Sequence, residues 1–419
     1  MEQCIVCHHA ATPLYHPDVD RGGTDLAHAH CQGVHAPDVR RTTQEGSLMA
    51  KGPRYVFLDV LRGIAVLWMI QVHITNVLLD PALRALPSFD LLNLSNGFVA
   101  PTFIFAAGSG LWIALSRKGA SYLQWDASLW GYILRLGYIL FWAYMLHVPV
   151  FSLDSMMRLP AADIFPWLQF DVLHTIVFAS LTALGIFLIV KDLKKATWIY
   201  GLTSLAIMYG TIYSPFHPST LSPFPYLPWA TYLFAGAFIT GKFMEAQDKR
   251  KFAVSMMLIG VSLPVLIFML KAQPFTTPWT DVWWKTSPGM HLFRISGILF
   301  TFGALYIFDE RLRLSKFGVF LQNVGTESLF LYISHLLVVY GEGGPLMKSL
   351  FGIQYTGYGG VAIAWVLVSV PLILVMYQWK HIKQHRPELA RRMLAVQVGW
   401  MVVTLMLVPD SFSFVKLFE

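Results

Sequence analysis

The chain has 419 residues, of which 55% are hydrophobic and 13% charged, with a mean hydropathy of +0.54. Soluble domains carry about 25% charged residues, so an ordinary soluble globule is excluded, and apolar runs of about 20 residues mark a polytopic membrane protein. The net charge of +7 is then a matter of topology and not of nucleic-acid binding, because positive charge in such proteins gathers in cytoplasmic loops.

Residues 1–53 are rich in His, Asp, Arg and Gly and show no helical or strand period. They read as a disordered polar tail, or as a start placed too early, with "MAKGPRYVFLDVLRG" from Met49 as the natural beginning. The three cysteines, Cys4, Cys7 and Cys31, all fall in this tail. "CIVCHH" contains the C-x-x-C-H pattern of haem attachment, but the loop charges put the tail on the cytoplasmic side. A zinc site with His8, His28 or His30 has suitable ligands but no standard spacing. Neither haem nor metal is expected.

Eleven apolar segments follow, at roughly 55–79, 98–116, 128–148, 171–190, 196–213, 225–243, 252–271, 291–308, 317–341, 357–378 and 390–408. Runs of this length without alternation span lipid as helices. Alternate connections hold the basic clusters: Arg117 and Lys118; Lys191, Lys194 and Lys195; Lys242 to Lys251; Arg311 to Lys316; Lys380 to Arg392. The positive-inside rule then places the N-terminus in the cytoplasm and the C-terminus outside. The expected fold is an all-α polytopic membrane protein with a helical domain over 54–409 and a short outer tail, 410–419. The outer loops "SPFHPSTLSPFP" and "KAQPFTTPWTDVWWKTSPGM" read as interfacial lids.

The first segment carries Asp59, Arg62 and His73. At 100° per residue, Arg62 and His73 differ by only about 20° around the axis and lie about 16 Å apart along it. Asn76 lies close to the same line and Asp59 on its flank. Such a stripe must face protein or water, since a charge at the bilayer centre costs roughly 2.5–3.5 kcal/mol. Asp59 and Arg62 also read as an i, i+3 pair that orients the helix, and His73 as a hydrogen-bonded packing histidine.

The same topology brings Asp171 and His174 of "FDVLHTI", His291 and Arg294 of "HLFRISG", and His335 of "NVGTESLFLYISH" into the outer half, with Glu327 at mid-depth and His147 at the end of the third helix. Ser328, Tyr332 and His335 share one helical face. Five histidines at similar depth point to one cavity open to the outside. In the inner half, Arg135 needs an anionic partner, either Asp59 or a bound phosphate. Gly108, Ser109 and Gly110 read as a close helix approach.

"FLDVLRGIAVLWMIQVHI", "GFVAPTFIFAAGSGLWIAL", "FDVLHTI" and "VGTESLFLYISHLL" together resemble, in order, the heparan-α-glucosaminide N-acetyltransferase-like family of the transmembrane acyltransferase superfamily, alongside the acyltransferase-3 proteins. The resemblance covers about residues 54–341. It implies transfer of an acetyl or other acyl group from cytosolic acetyl-CoA (acyl-CoA) to an extracytoplasmic sugar or glycan of the cell envelope. It also implies a multi-pass protein of a bacterial inner membrane, with the lipid bilayer as a partner and homo-oligomerisation left open. Arg62 falls on the family's "RG", His73 on the polar residue ending its first helix, and His335 on its late "Y..H". The chain departs from the pattern in three places. No histidine occurs in "VLLDPALRALPSFDLLNLSNG", Gly97 stands where the family has Asp, and Glu327 where it has Asn.

Acyl transfer needs a base, donors for the oxyanion and a dry channel. The expected base is His73, oriented by Asn76 or His335. Arg62 and Arg135, with Asp59, would hold the donor, and Asp171, His174, His291, Arg294, Glu327 and Tyr332 would contact the acceptor. A transporter or channel using the same polar stripe and a non-catalytic relative that binds lipid or glycan are the rival readings.

Overall fold

Each of the eleven apolar runs is mainly helical over its described residues. The computed structural model describes residues 55–210, 222–271, 287–340 and 355–407; the polar tail with its Cys–His motif, most of both Pro-rich loops and the segment 410–419 lie outside the described residues. Helix α1 covers Val56–Leu78, and a 3-10 turn (Pro81–Ala85) and α2 (Pro87–Asn96) lead into α3 (Val99–Leu123). Next come α4 (Ala127–Met145), the short α5 (Leu153–Met157) and α6 (Ala161–Leu168), α7 (Val172–Val190), α8 (Leu193–Gly210) and α9 (Tyr226–Glu245). They are followed by α10 (Lys249–Lys271), α11 (Pro288–Ile307), α12 (Asp309–Leu314), α13 (Lys316–Thr326), α14 (Ser328–Tyr340), α15 (Tyr358–His385) and α16 (Pro387–Leu407).

Among the described residues, seven helical stretches are long and apolar enough to cross a membrane: Val56–Leu78, Pro87–Leu123, Val172–Val190, Lys249–Lys271, Pro288–Ile307, Tyr358–His385 and Pro387–Leu407. The chain is therefore a multi-pass integral membrane protein. The number falls short of eleven for two reasons. Helices α4, α8 and α9 are long, but Tyr, Trp, Gly and Thr dilute their apolarity. The ninth run is broken at Glu327, whose backbone (φ −106°, ψ 19°) leaves the helical region between α13 and α14.

Side chains satisfy the exposed N–H groups at several helix starts. Asp126 accepts from the backbone of Ser128 and Leu129 at the start of α4, Ser287 from Met290 at α11, and Ser315 from Gly318 at α13. Asp171 and His174 form a reciprocal capping box at α7. Helix α1 lacks a side-chain cap of its own; instead its Phe57 N–H donates to Asp309 Oδ1 of α12 at 2.8 Å. At the other end of α1, Leu78 and Asp80 exchange backbone hydrogen bonds with Thr356, ahead of α15.

Helix α1 is the axis of the fold, packing against α3, α11, α13, α14 and α15 as well as the short α2 and α12. Most of its polar stripe thereby faces protein, with Asp59, Arg62 and His73 half-buried and Asn76 exposed. The closest approach is to α13, where a Cβ on Gly63 would lie 2.2 Å from the Leu321 carbonyl oxygen and one on Gly325 only 1.8 Å from that of Asp59. The same device joins α3 to α9: a Cβ on Gly108 would lie 1.9 Å from the Leu233 oxygen, and one on Gly236 2.1 Å from that of Phe105. Small residues let helix backbones touch where lipid gives no hydrophobic drive. By contrast α16 is only 6% buried along its apolar window, and α10 and α15 are 22% buried, so most of their surface is left for lipid.

Gly325→Ala should therefore push α13 from α1 and lower stability by at least about 1–3 kcal/mol, the range for overpacking. Gly137→Ala in α4 meets nothing within 4 Å and should be neutral or stabilising by up to about 1 kcal/mol. Thermal unfolding of the two detergent-purified variants makes the comparison; equal melting temperatures would contradict the packing account.

Candidate active site

A cavity of about 590 Å³ lies between α3, α4, α7 and the α13–α14 break. It exists because the facing side chains are small. Helix α3 turns Ala107, Gly110, Leu111, Ala114 and Lys118 into it, all on one helical stripe, and α4 adds Ala127, Ser128 and Gly131. Its wall runs along α3 from Lys118 to Phe103, about 22 Å at 1.5 Å per residue. That is most of a hydrocarbon core about 30 Å thick.

The cavity is graded in polarity along this length. Lys118 stands at one end near Ala127 and Ser128, Arg62 and Arg135 reach in from α1 and α4, and Phe103, Leu173 and Ile176 form the far end. Arg62 is held by Asp59 (3.7 Å) and donates from Nη2 to the Ala106 carbonyl at 3.2 Å. A Cβ on Gly110 would come within 3.3 Å of that same nitrogen, so this glycine clears space for the guanidinium. Gly110 is about 12 Å along α3 from Lys118. Arg62 thus meets the cavity well along α3 from its Lys118 end. Asp59 pairs with Arg62 and not with Arg135, which is exposed to the cavity.

Beyond Phe103 lies a cluster of polar side chains. Phe103 stacks on Tyr332 (centroids 5.7 Å), and Tyr332 meets His335 edge-on (5.8 Å). The His335 and His73 rings are 5.2 Å apart. His73 Nδ1 shares a 2.8 Å hydrogen bond with the Tyr340 hydroxyl, and Asn76 lies beside the same hydroxyl. His335 is fully buried, and its Nδ1 donates to the Leu331 carbonyl at 2.6 Å. Its Nε2 therefore carries the lone pair, and it has no partner among the described residues.

The Tyr332 hydroxyl also interacts with Asp171, whose Oδ1 lies 2.8 Å from His174 Nδ1. A carboxylate on one ring nitrogen fixes the imidazole and leaves the other free, and His174 Nε2 is indeed buried without a partner. His147, 6.3 Å from His174 between centroids, donates to its own helix at Ala143. His73, Asn76, Tyr332, His335, Asp171 and His174 thus come together.

Three of the expected contacts fall elsewhere. His291 bonds the Tyr232 hydroxyl at 2.6 Å, and Arg294 lies over the Trp229 ring at 5.3 Å; the two share a separate buried group with Tyr232. Glu327 is paired with Lys383 of α15, and Asn323 receives a bond from Lys380 of the same helix. The side chains that close the site without having been singled out in the sequence are Lys118, Phe103 and Tyr340; Tyr232 belongs to the separate group. Lys118 was legible, since it lies at i+4 from Ala114 and i+11 from Ala107 on a small-residue stripe.

At the Lys118 end, Asp126 is half-buried in the turn between α3 and α4. A hydrogen bond from Ser121 holds its carboxyl below the usual carboxylate range, helped by the Leu129 and Ser128 N–H groups and by Lys118, against some desolvation.

A family model described as "Heparan-alpha-glucosaminide N-acetyltransferase, catalytic" matches residues 54–273. That range holds α1 to α10 and all three cations of the cavity; His335, Tyr332 and Tyr340 lie beyond it. No curated protein matches the chain.

The depressed carboxyl of Asp126 contributes stability that is fully present above an ordinary carboxylate pKa of about 3.9. It is lost as the pH falls through the lower, folded-state value. Asp126→Ala should accordingly lower the melting temperature at pH 7, and the gap from the parent should close in acid. A gap independent of pH would show that the carboxylate charge is not what caps α4.

Proposed function

Because the chain belongs to the heparan-alpha-glucosaminide N-acetyltransferase catalytic family, we propose that it transfers an acetyl group from cytosolic acetyl-CoA to a hydroxyl or amine of an extracytoplasmic sugar or glycan. The observation that carries this reading is the graded cavity. It begins at cations, becomes apolar with depth, and stops one aromatic layer short of His335 and His73. Such a gradient suits a donor with an anionic diphosphate at one end, an amide-bearing arm in the middle and a small acyl thioester at the tip.

In this reading all eleven helical runs span the membrane, with the N-terminus and the Lys118 end in the cytoplasm. Arg135, exposed in the cavity wall, and Lys118, which also faces the Asp126 carboxylate, take the diphosphate. Arg62, held by Asp59, meets the arm further in. The acceptor enters from the His73 end. His73 takes the proton from the acceptor hydroxyl or amine as the oxygen or nitrogen bonds to the thioester carbonyl carbon. The carbon–sulfur bond then breaks, the electron pair leaves on sulfur, and the proton passes to the thiolate. Tyr340 holds the His73 ring. His335 and Asn76 orient the reacting groups, and Tyr332, backed by Asp171, supplies a hydroxyl toward the developing oxyanion. His174 positions Asp171.

Membranes carrying the protein should transfer label from radiolabelled acetyl-CoA, and His73→Ala should lower the rate by about 100-fold or more, the usual weight of a general base. Acetyl-CoA should raise the melting temperature of the purified protein, and Arg135→Ala, an exposed residue, should remove that rise without lowering the basal value. Full transfer by His73→Ala would overturn the base assignment. No stabilisation by acetyl-CoA would favour the transporter reading.

A further inference from the structure

The second polar group, around Arg294, contains an electrostatic imbalance. Arg294 is on α11 and is only 9% exposed. Its Nε and Nη1 are buried with no hydrogen-bond partner among the described residues. Around it stand the Trp229 ring at 5.3 Å, the Tyr232 hydroxyl and His291, which is itself bonded to Tyr232. Among the described residues, these neighbours are all neutral or cationic groups. A guanidinium cannot shed its proton to escape burial, and a buried charge left unpaired costs several kcal/mol.

Arg294 also borders an empty space. A separate cavity of about 180 Å³ is lined by Asn93, Leu94, Gly97, Met290, Phe293 and Arg294. Asn93 is exposed at its rim, so the space opens toward the α2 side. Gly97, at the turn from α2 into α3, leaves the approach clear: a Cβ there would lie 3.6 Å from both Arg294 Nε and Nη2. The absence of a side chain at 97 and the absence of an acceptor on Arg294 therefore meet at the same point.

We propose that this cavity binds one oxyanion group, a carboxylate, sulfate or phosphate, which takes the place of the missing acid beside Arg294. The free N–H groups supply charge-assisted hydrogen bonds, the Trp229 face holds the guanidinium from behind, and Asn93 adds an amide at the entrance. The site stands apart from the acyl-transfer cavity and shares none of its lining residues. Its existence does not depend on that reaction.

The test is thermal unfolding of the full-length protein in a neutral detergent and an anion-poor buffer, with inorganic phosphate, sulfate, glucuronate, glucose and mixed micelles of phosphatidylglycerol added separately. A bound anion should raise the melting temperature by a few degrees at saturation. Glucuronate rising where glucose does not assigns the group to an acidic sugar; phosphatidylglycerol alone assigns it to a lipid headgroup; phosphate or sulfate alone assigns it to a free ion. In each case Arg294→Gln should remove the rise. Gly97→Asp places a carboxylate beside the guanidinium and should raise the anion-free melting temperature while abolishing the response. Gly97→Ala adds the same Cβ without the charge and should retain it. The proposal fails if no anion raises the melting temperature, or if the rise survives in both Arg294→Gln and Gly97→Asp.

Discussion

Where α1 crosses α13, the two backbones touch directly. Gly63 and Gly325 each face a carbonyl of the other helix at distances that admit no side chain. This contact places a helix with three ionisable residues at the centre of the bundle, where α3, α11, α14 and α15 can surround it. In hydrocarbon the same helix would be expensive to insert. Inside the bundle each charge has a neighbour: Arg62 meets Asp59 and a carbonyl of α3, and His73 meets Tyr340 and the His335 ring. The glycine contact is thus what allows α1 to be polar, and the two sites along its stripe follow from it.

Close packing and open volume come from the same residue types, used on different faces of one helix. On α3, Gly108 is pressed against α9, while Gly110, two residues on and about 200° around the axis, looks into the cavity and gives Arg62 its room. Small side chains facing a backbone create contact, and small side chains facing other small side chains create space. The cavity is therefore not a packing fault but the other side of the α3–α9 interface.

Periodicity made part of this legible in advance. The angular relation of Arg62 to His73 needs only the helical repeat, and the shared face of Ser328, Tyr332 and His335 likewise; Ser328 lines the cavity while Tyr332 and His335 stand behind it. Lys118 was passed over because a cation after an apolar run reads as a loop charge, although its stripe with Ala107 and Ala114 carried the signal. Glu327 gave no warning of the helix break, since neither Gly nor Pro marks the break itself. Its partner Lys383 is 56 residues away, beyond the reach of any local pattern. The Arg294 group was still harder to foresee. Its defining property is a partner that is missing, and an absence in three dimensions has no counterpart in a sequence read one helix at a time.

The stacked rings of Phe103 and Tyr332 have an electrical meaning as well as a steric one. In the proposed orientation, the cavity below them is a wet, cation-lined recess that admits ions from one side, and little of the transmembrane voltage falls along such a space. Nearly all of it falls across the thin layer of rings. A unit charge gains about 2.3 kcal/mol per 100 mV in crossing a membrane, so the sharpest field in the molecule would lie between the cavity tip and the His335–His73 pair. Two aromatic side chains would then act as the insulator across which a neutral acyl group is handed, with only the acceptor's own proton following it to the thiolate.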